Sequence, residues 1–414
     1  MGLGPSTKMT TLHHYRCPVT KTLTAENEIE FTGIIINGIS ESYDDKIFNA
    51  QRTADLAQML QADGAIVAID GWGNHHVDFV QVIEQLGKRG IPSVGLSYIG
   101  QQGRLVCDSP YVNCIIDFNK NASGYESCIV GDNNLNAYDA FKAVKLLENR
   151  IKKSGGWKIP GNKREQRVRC LTKKIFSVKE MRCGETVSLK NGVLTIESGI
   201  GRSLSLSDRI REISVHILPP GRHRIFVNSN LDFSPLACKV QGNPGEGISH
   251  VLSGVTLMLT GAEEETGWQP ANIGSSEGIL ENQVRWNQAG TPSSSDYILH
   301  VDVLFRRGEA RTAEGILAAH QAADQIAEKI RAVLRSAADA EPYRTEKTYD
   351  ILRPGAAKVI LVKLVSGLGN MYDTVLFPRE PAGCLGGHNI RECRNLPWAI
   401  SPNQCRDGVI HSLL

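Results

Sequence analysis

Short runs of apolar, β-branched residues alternate with amphipathic segments along the first 150 residues. The apolar runs are Gly33–Gly38, Ala65–Ile69, Ser93–Ser97 and Cys114–Phe118. Residues 44–61, 79–86 and 136–151 carry apolar side chains at helical spacing. Strands that are apolar throughout and alternate with helices are typical of a parallel sheet covered on both faces. We therefore predict an α/β fold with a doubly wound, mostly parallel sheet for residues 1–150.

The second half of the chain contains more strand patterns, several of which alternate apolar and polar positions as half-buried antiparallel strands do. They are Val193–Ile196, Ile213–Ile217, Ile225–Val227, Val255–Leu259, Ile298–Val303 and Lys358–Lys363. One long helix is predicted from Ala313 to Ala338. Its apolar stripe is Ile316, Ala319, Ala323, Ile326, Ile330, Val333 and Leu334. We predict a mixed α/β (α+β) domain for residues 175–414, with the stripe in its core or, alternatively, at a dimer face.

A basic segment that contains glycine and proline separates the two halves. Residues 151–174 include Gly155, Gly156, Pro160 and Gly161 among lysines and arginines. Glycine and proline interrupt helical and strand periodicity, so we predict a linker. A solvated tether is favoured, and a docking patch for an acidic partner is the alternative.

The composition limits the class of protein to which the chain can belong. The chain has 414 residues, of which 41% are hydrophobic and 22% charged, values typical of a soluble globular protein. A net charge of +2 gives no support for a nucleic-acid partner. No apolar run reaches bilayer length and no signal-peptide pattern is present, so a membrane is not predicted. The ten cysteines contain no C-x-x-C pair, which favours reduced thiols and a cytoplasmic location.

The segment Asp70–Asp78 is the strongest candidate site from residue types alone. It follows a predicted buried strand and enters a helix, at the sheet edge where open α/β folds bind ligands. Glycines there allow close backbone approach, and free N–H groups at the helix start favour an anion. The candidate catalytic groups are His75 and Asp78, and the candidate substrate-binding residues are Asp70, Gly73, Asn74 and His76. Alternatively, Asn74 or Asp78 caps the helix while the histidines face water.

Other common cofactor sites lack their sequence signals. No G-x-G-x-x-G follows a strand and no G-x-x-x-x-G-K-[ST] is present, so a nucleotide cradle is not predicted. Zinc-type ligands occur near the end of the chain at Cys384, His388, Cys393, Cys405 and His411. Their spacing lacks the paired knuckle of common structural zinc sites, so no metal is predicted.

Several long and dispersed motifs resemble the D-proline reductase proprotein family, which is related to the component B proproteins of glycine reductase. In the first half these motifs are Asp70–Asp78 and Gly87–Pro92. In the second half they are Gly245–His250, Gly274–Gly278 and residues 371–387. By this resemblance, residues 1–150 correspond to the family's pyruvoyl-side subunit and residues 175–414 to the other subunit derived from the proprotein.

The two ends of the chain resemble the two sides of one junction in that family. There, a segment like Ser401–Leu413 precedes Thr-Cys, and a segment like Gly2–His14 follows it. The family's chain is cut before this cysteine, which becomes a pyruvoyl group. Here the order is reversed, and Met1 or Leu414 stands in place of Thr-Cys. The resemblance therefore implies the family's scaffold without a pyruvoyl cofactor in this chain, and predicts that Met1 and Leu414 lie close together.

The resemblance also adds candidate site residues. In the family, the strip that corresponds to the N-terminal residues follows the pyruvoyl carbonyl and would line the active cavity. This strip contains Thr7, Lys8, Thr10, Thr11, His13 and His14. Thr7 and Lys8 are thus candidates for substrate binding, and His13 and His14 for catalysis. Ser275, Ser276 and Glu277 are further substrate-binding candidates, since their motif recurs in the family. Without the resemblance, a frayed terminus and a tight turn are the simpler interpretations.

Three functions follow as hypotheses. The first is an accessory, non-pyruvoyl component of a D-proline reductase-type system, whose complex opens the ring of D-proline reductively to 5-aminovalerate. Its expected partners are pyruvoyl-containing and selenoprotein subunits and a small amino-acid ligand, in a homo- or hetero-oligomer. The second is a reductase subunit that is active with an electrophile or selenol supplied by a partner. The third is an amino-acid-binding or sensing module without catalysis.

Overall fold

The computed structural model describes residues 10–40, 42–69, 73, 75–122, 129–157, 165–227, 232–263, 278–309, 313–365 and 396–409. In the first part of the chain the strands are β1 (Ile29–Gly38), β2 (Gly64–Ile69), β3 (Ser93–Ser97) and β4 (Ile115–Asp117). The helices of this part are α1 (Thr11–Tyr15), α2 (Pro18–Ala25), α3 (Tyr43–Met59), α4 (His75–Lys88) and α5 (Ala137–Lys153). Strand and helix alternate as the apolar pattern predicted.

The remaining strands occur later in the chain. They are β5 (Gln166–Ser177), β6 (Glu180–Gly184), β7 (Ser188–Lys190), β8 (Val193–Glu197), β9 (Ile210–Leu218), β10 (Phe226–Val227), β11 (Asp232–Ser234), β12 (Ala237–Gln241), β13 (Gly247–Ser253), β14 (Val255–Glu263), β15 (Gly278–Ile279), β16 (Tyr297–Phe305), β17 (Arg344–Leu352), β18 (Ala357–Val365) and β19 (Trp398–Ile400). The helices are α6 (Ala313–Arg335) and α7 (Pro402–Arg406).

A six-stranded sheet in the order β19-β1-β18-β2-β3-β4 forms the centre of the first part. The strands β1, β18, β2, β3 and β4 are parallel, and β19 pairs antiparallel with β1 at one edge. One face packs on α2 and α5 through residues such as Ile34 and Leu361, and the other packs on α3 and α4 through residues such as Ile35 and Val362. The predicted doubly wound, mostly parallel sheet is confirmed.

Strand β18 does not follow the predicted division of the chain into two domains at residues 151–174. It was expected in the domain of residues 175–414, but it pairs with β1 and β2 in the middle of the first sheet. All of its residues except the half-buried Lys358 are buried. Such an apolar strand needs a position covered on both faces, which the gap between β1 and β2 supplies. The first half and a segment about 200 residues later therefore share one hydrophobic core.

The expected linker also differs from the structure. Helix α5 extends to Lys153, and residues 166–177 form the long strand β5, which pairs with β13 and β17. Residues 158–164 lie outside the described residues. In β5 the side chains of Leu171, Lys173, Ile175 and Phe176 are buried, whereas Cys170, Thr172 and Lys174 are half-buried. Because the buried Lys173 interrupts the apolar face and basic residues adjoin it, the sequence interpretation did not recognise this two-residue period.

The second part is a mixed α/β arrangement, as predicted. Its sheets have the orders β11-β14-β16-β9, β12-β13-β5-β17, β6-β8-β7 and β10-β15. Most pairs are antiparallel, but β14 with β16, β5 with β13 and β6 with β8 are parallel. The apolar stripe of α6, including Ala319, Ala323 and Ile330, is buried in the core of these sheets. Core packing rather than a dimer face therefore explains the described part of that stripe.

The described segments nearest the two ends of the chain contact each other. The Cys405 thiol on α7 donates to the carbonyl oxygen of His14 at 3.2 Å. Gly408 adopts a φ of +80° against the ring of Tyr15, where a Cβ atom would lie 2.8 Å from Cε2. Met1 and Leu414 themselves lie outside the described residues, so their predicted proximity stays a prediction.

Within the described ranges, no helix combines the length and the apolar character needed to cross a bilayer.

Candidate functional site

The first turn of α4 places Asp78 against Lys46 of α3. The two side chains form an ion pair, with relative exposures of 1% and 2%. The backbone N–H of Ser40, which follows β1, also donates to Asp78. Burial raises the pKa of Asp78 to about 7, although Lys46 opposes this shift. A carboxyl group that titrates near neutral pH at the carboxyl edge of a parallel sheet is suited to exchange a proton with a ligand.

The neighbouring histidines are buried rather than facing water. His75 and His76 are 2% and 1% exposed. Burial, assisted by Lys46, lowers the pKa of His75 to about 3, and burial lowers that of His76 to about 4. The His76 ring packs 5.3 Å from the ring of Phe79 and directly against Gly103, where a Cβ would lie 2.2 Å from Cε1. The alternative in which these two histidines face water is therefore wrong.

Part of the predicted site lies outside the described residues. This applies to Thr7, Lys8, Asp70, Asn74, Ser275, Ser276 and Glu277. Gly73 is described and adopts a φ of +63°, a left-handed conformation that glycine reaches without strain. The chain therefore makes a sharp turn just before α4 begins at His75.

A second buried polar cluster surrounds Lys363 in β18. Its Nζ lies 3.3 Å from His14 Nδ1, and the lysine side chain is only 1% exposed. His13 is also 1% exposed, and neither of its ring nitrogens has a hydrogen-bond partner among the described residues. Burial and the charges of Lys363 and Lys120 lower the pKa of His13 to about 3, and burial with Lys363 also holds the pKa of His14 well below its ordinary value. Both histidines are therefore neutral at physiological pH.

Two cysteines complete this second cluster. Cys17 precedes α2, and although burial opposes ionisation, Lys363 and hydrogen bonds involving Thr20 lower its pKa overall. Burial instead raises the pKa of Cys405 on α7. Thr20 interacts with both thiols. The cluster thus combines two neutral imidazoles, a buried cation and one thiol with an enhanced tendency to ionise.

The four candidate catalytic residues form two pairs rather than one group. His75 and Asp78 lie beside Lys46 on the sheet face that α3 and α4 cover. His13 and His14 lie beside Lys363. The Lys363 side chain lies on the opposite face of the sheet, towards α2 and α5, together with Leu361 and Val365. Both clusters lie near the carboxyl ends of β1, β18 and β2. The sheet separates them, but they share this edge of the sheet.

Sequence reasoning missed both buried lysines. Lys46 occupies the apolar stripe of α3 with Ala50 and Ala54, and Lys363 interrupts the apolar run of β18. The sequence did offer a signal for these lysines. Each stands at a position that the apolar periodicity predicts to be buried, and a buried charge needs a partner.

No group of three or more metal-ligating side chains occurs within the described part of the chain. Of the zinc-type residues noted in the sequence, Cys405 is described, whereas Cys384, His388, Cys393 and His411 lie outside that part.

Comparisons with known proteins agree with the motifs. Residues 3–117 match the family model of glycine/sarcosine/betaine reductase component B subunits. The D-proline reductase proprotein PrdA of Acetoanaerobium sticklandii is 32% identical over 248 residues, which are 59% of this chain and 39% of the relative. The betaine reductase complex component B subunit alpha of Peptoclostridium acidaminophilum is 36% identical over 94 residues, 22% of this chain and 21% of the relative. No solved structure matches the chain.

These matches identify the chain as a relative of the glycine, betaine and D-proline reductase components. The 248-residue match to the D-proline reductase proprotein confirms the resemblance to the D-proline reductase family that the motifs predicted. The chain spans about two fifths of the length of that proprotein and about one fifth of the betaine reductase subunit.

Proposed function

We propose that the chain is an accessory, non-pyruvoyl component of a D-proline reductase-type system. The complex would open the D-proline ring reductively to 5-aminovalerate, while this chain contributes scaffold and ligand contacts. The observation that carries the proposal is the match to a D-proline reductase proprotein over 59% of the chain, combined with the lack of a Thr-Cys pair within these 414 residues.

The residues around the cysteines support the proposal that this chain supplies scaffold but not the pyruvoyl electrophile. The residue before each of the ten cysteines is Arg, Val, Asn, Ser, Ala, Gly, Glu or Gln, and never Thr. Cys17 lies in continuous backbone between α1 and α2, and Cys405 lies inside α7. Cleavage at either residue would divide structure that packs as a unit. We therefore assign the carbonyl group to a pyruvoyl-containing partner subunit.

The ligand contacts are proposed at the carboxyl edge of the central sheet. Asp78 and His75 on one face, and His13 and His14 on the other, supply groups for proton transfer. Asp70, Gly73, Asn74 and His76 belong to the same edge by sequence. An amino-acid substrate carries a carboxylate, which free N–H groups at the start of α4 would favour. Further proposed substrate contacts are Thr7, Lys8, Ser275, Ser276 and Glu277.

Two relatives are component B subunits of the betaine reductase complex and of the glycine reductase complex. We propose that this chain likewise assembles with a pyruvoyl-containing and a selenoprotein subunit, in the cytoplasm, where thiols such as Cys17 stay reduced.

Intact mass spectrometry with and without a carbonyl-reactive hydrazide tests the absence of a pyruvoyl group. We expect a single uncut chain near 45.3 kDa that gains no hydrazide mass. Two fragments, one of which carries the label, would contradict the accessory role and favour a catalytic subunit.

A further inference from the structure

A cavity of about 610 Å³ opens between the N-terminal helices and the second part of the chain. Residues of α1 and α2 form one wall, and residues of β5, β13, β14 and β17 form the other. Its volume falls within the range of small-molecule sites, about 300–1,000 Å³. The lining includes apolar side chains such as Ile175, Val251 and Val255, so the cavity can hold the apolar body of a ligand.

The polar part of the lining is strongly cationic. The lining includes five basic side chains, Arg16, Lys21, Lys173, Arg344 and Arg406. Among the described lining residues the single carboxylate is Glu346, which lies 3.9 Å from Arg344. Five positive charges against one negative charge leave an excess of four. Low-dielectric walls strengthen such a field, so the cavity attracts anions.

Lys173 is the most constrained of these cations. Its side chain is 5% exposed, and it lies 4.7 Å above the ring of Tyr15. Glu346 occupies the opposing position on β17, but none of the ion pairs found among the described residues involves Lys173. Burial lowers the pKa of Lys173 to about 8. Glu346 and Asp407 act on Lys173 only from beyond ion-pair distance, so part of the cost of burying its ammonium remains, and a bound anion would offset it.

Arg406 reaches the same cavity from α7. Its guanidinium donates to the carbonyl oxygen of Thr20 at 3.3 Å and to the hydroxyl of Thr24. These contacts fix one side of the guanidinium, which has five N–H donors in total. The cavity therefore holds two oriented cations, Lys173 and Arg406, beside an apolar wall.

We propose that this cavity is a binding site for a small organic carboxylate with an apolar body, in which Lys173 contacts the carboxylate. Cys17 lines this cavity and also belongs to the cluster around Lys363, but His13, His14, His75 and Asp78 do not line it. The proposal stands independently of the reductase role.

Isothermal titration of the full chain with octanoate and with octanamide tests the proposal. The two probes share an apolar chain and differ in charge. We expect saturable binding of octanoate at one site and binding of octanamide at least about tenfold weaker, because only the carboxylate meets the cations. Equal binding of the two probes, or binding of neither, would overturn the proposal.

Three variants locate the site. We expect Lys173→Met to weaken octanoate binding about tenfold or more and to leave octanamide unchanged. Lys174→Met is the matched control, since Lys174 follows on the same strand and lies over Tyr343 instead. We expect Glu346→Gln, at a half-exposed position that tolerates substitution, to tighten octanoate binding. Unchanged octanoate affinity in both Lys173→Met and Glu346→Gln would refute the assignment.

Discussion

At the scale of single residues, the Lys46–Asp78 pair combines stability with proton chemistry. Both side chains are buried, so the loss of either leaves a charge that water does not reach. The partners are not equivalent, because burial raises the pKa of Asp78 to about 7. Asp78 can therefore become neutral by binding a proton, whereas a buried lysine that loses its carboxylate must lose a proton or remain charged.

We predict that Asp78→Asn destabilises the protein by about 3–5 kcal/mol, because it leaves the Lys46 ammonium unpaired. Lys46→Met should cost less at pH 5 than at pH 8, since Asp78 is protonated at the lower pH. Urea unfolding followed by circular dichroism measures both effects. The double variant Lys46→Met/Asp78→Asn is the control. If it is as destabilised as the sum of the single variants, the pair does not interact energetically.

Some residue contacts at the candidate sites could not be predicted from the sequence. Asp78 and His75 were identified because their segment follows a buried strand and enters a helix. Their shared partner Lys46 is 32 positions from Asp78, and only the packing of α3 on α4 brings it there. Lys363 of β18 and His14 of α1 are 349 positions apart and meet through tertiary packing. Partners at such separations leave no local pattern.

At the scale of elements, most strands and helices follow from periodicity, and their pairing does not. The apolar run at residues 358–363 predicted a strand, and that prediction is confirmed by β18. Its place between β1 and β2 depends on a parallel connection from far along the chain, whereas neighbouring elements usually pair. Strand β5 was taken for a linker, because the buried Lys173 and its basic neighbours obscured the alternation.

The position of β18 predicts a large effect for Leu361→Ala. Leu361 is fully buried and pairs with Ile34 and Ile66 on its two sides. The substitution should destabilise the protein by about 2–5 kcal/mol, through lost burial and the cavity that remains. Urea unfolding measures the change. Leu352→Ala on β17 is the matched control, since Leu352 is 38% exposed and should cost far less. Equal effects of the two substitutions would argue against a central β18.

At the scale of the whole molecule, buried neutral histidines make stability sensitive to acid. Eight described histidines have a lowered pKa, namely His13, His14, His75, His76, His223, His250, His300 and His320. Below their ordinary pKa of 6.5, the unfolded chain binds protons that the folded chain does not. Three aspartates with a raised pKa, Asp78, Asp232 and Asp350, act in the opposite direction.

Because the histidines outnumber these aspartates, we predict that the free energy of unfolding falls as the pH drops from about 6.5 towards 4. A fully buried histidine such as His13 or His75 contributes up to about 1.4 kcal/mol per pH unit over this window. Urea midpoints at pH 7, 6 and 5 measure the trend, and His75→Gln should reduce its slope. A midpoint that rises on acidification would contradict this account of the buried histidines.

We propose that this chain belongs to a D-proline reductase-type system without supplying its electrophile. D-proline turnover to 5-aminovalerate, measured with a dithiol reductant, tests it most directly. The purified chain should give no turnover alone, and it should co-purify with the pyruvoyl-containing and selenoprotein subunits and increase their turnover. Turnover by the chain alone would contradict the accessory role. If the chain neither bound those subunits nor changed their turnover, membership in the system would be contradicted.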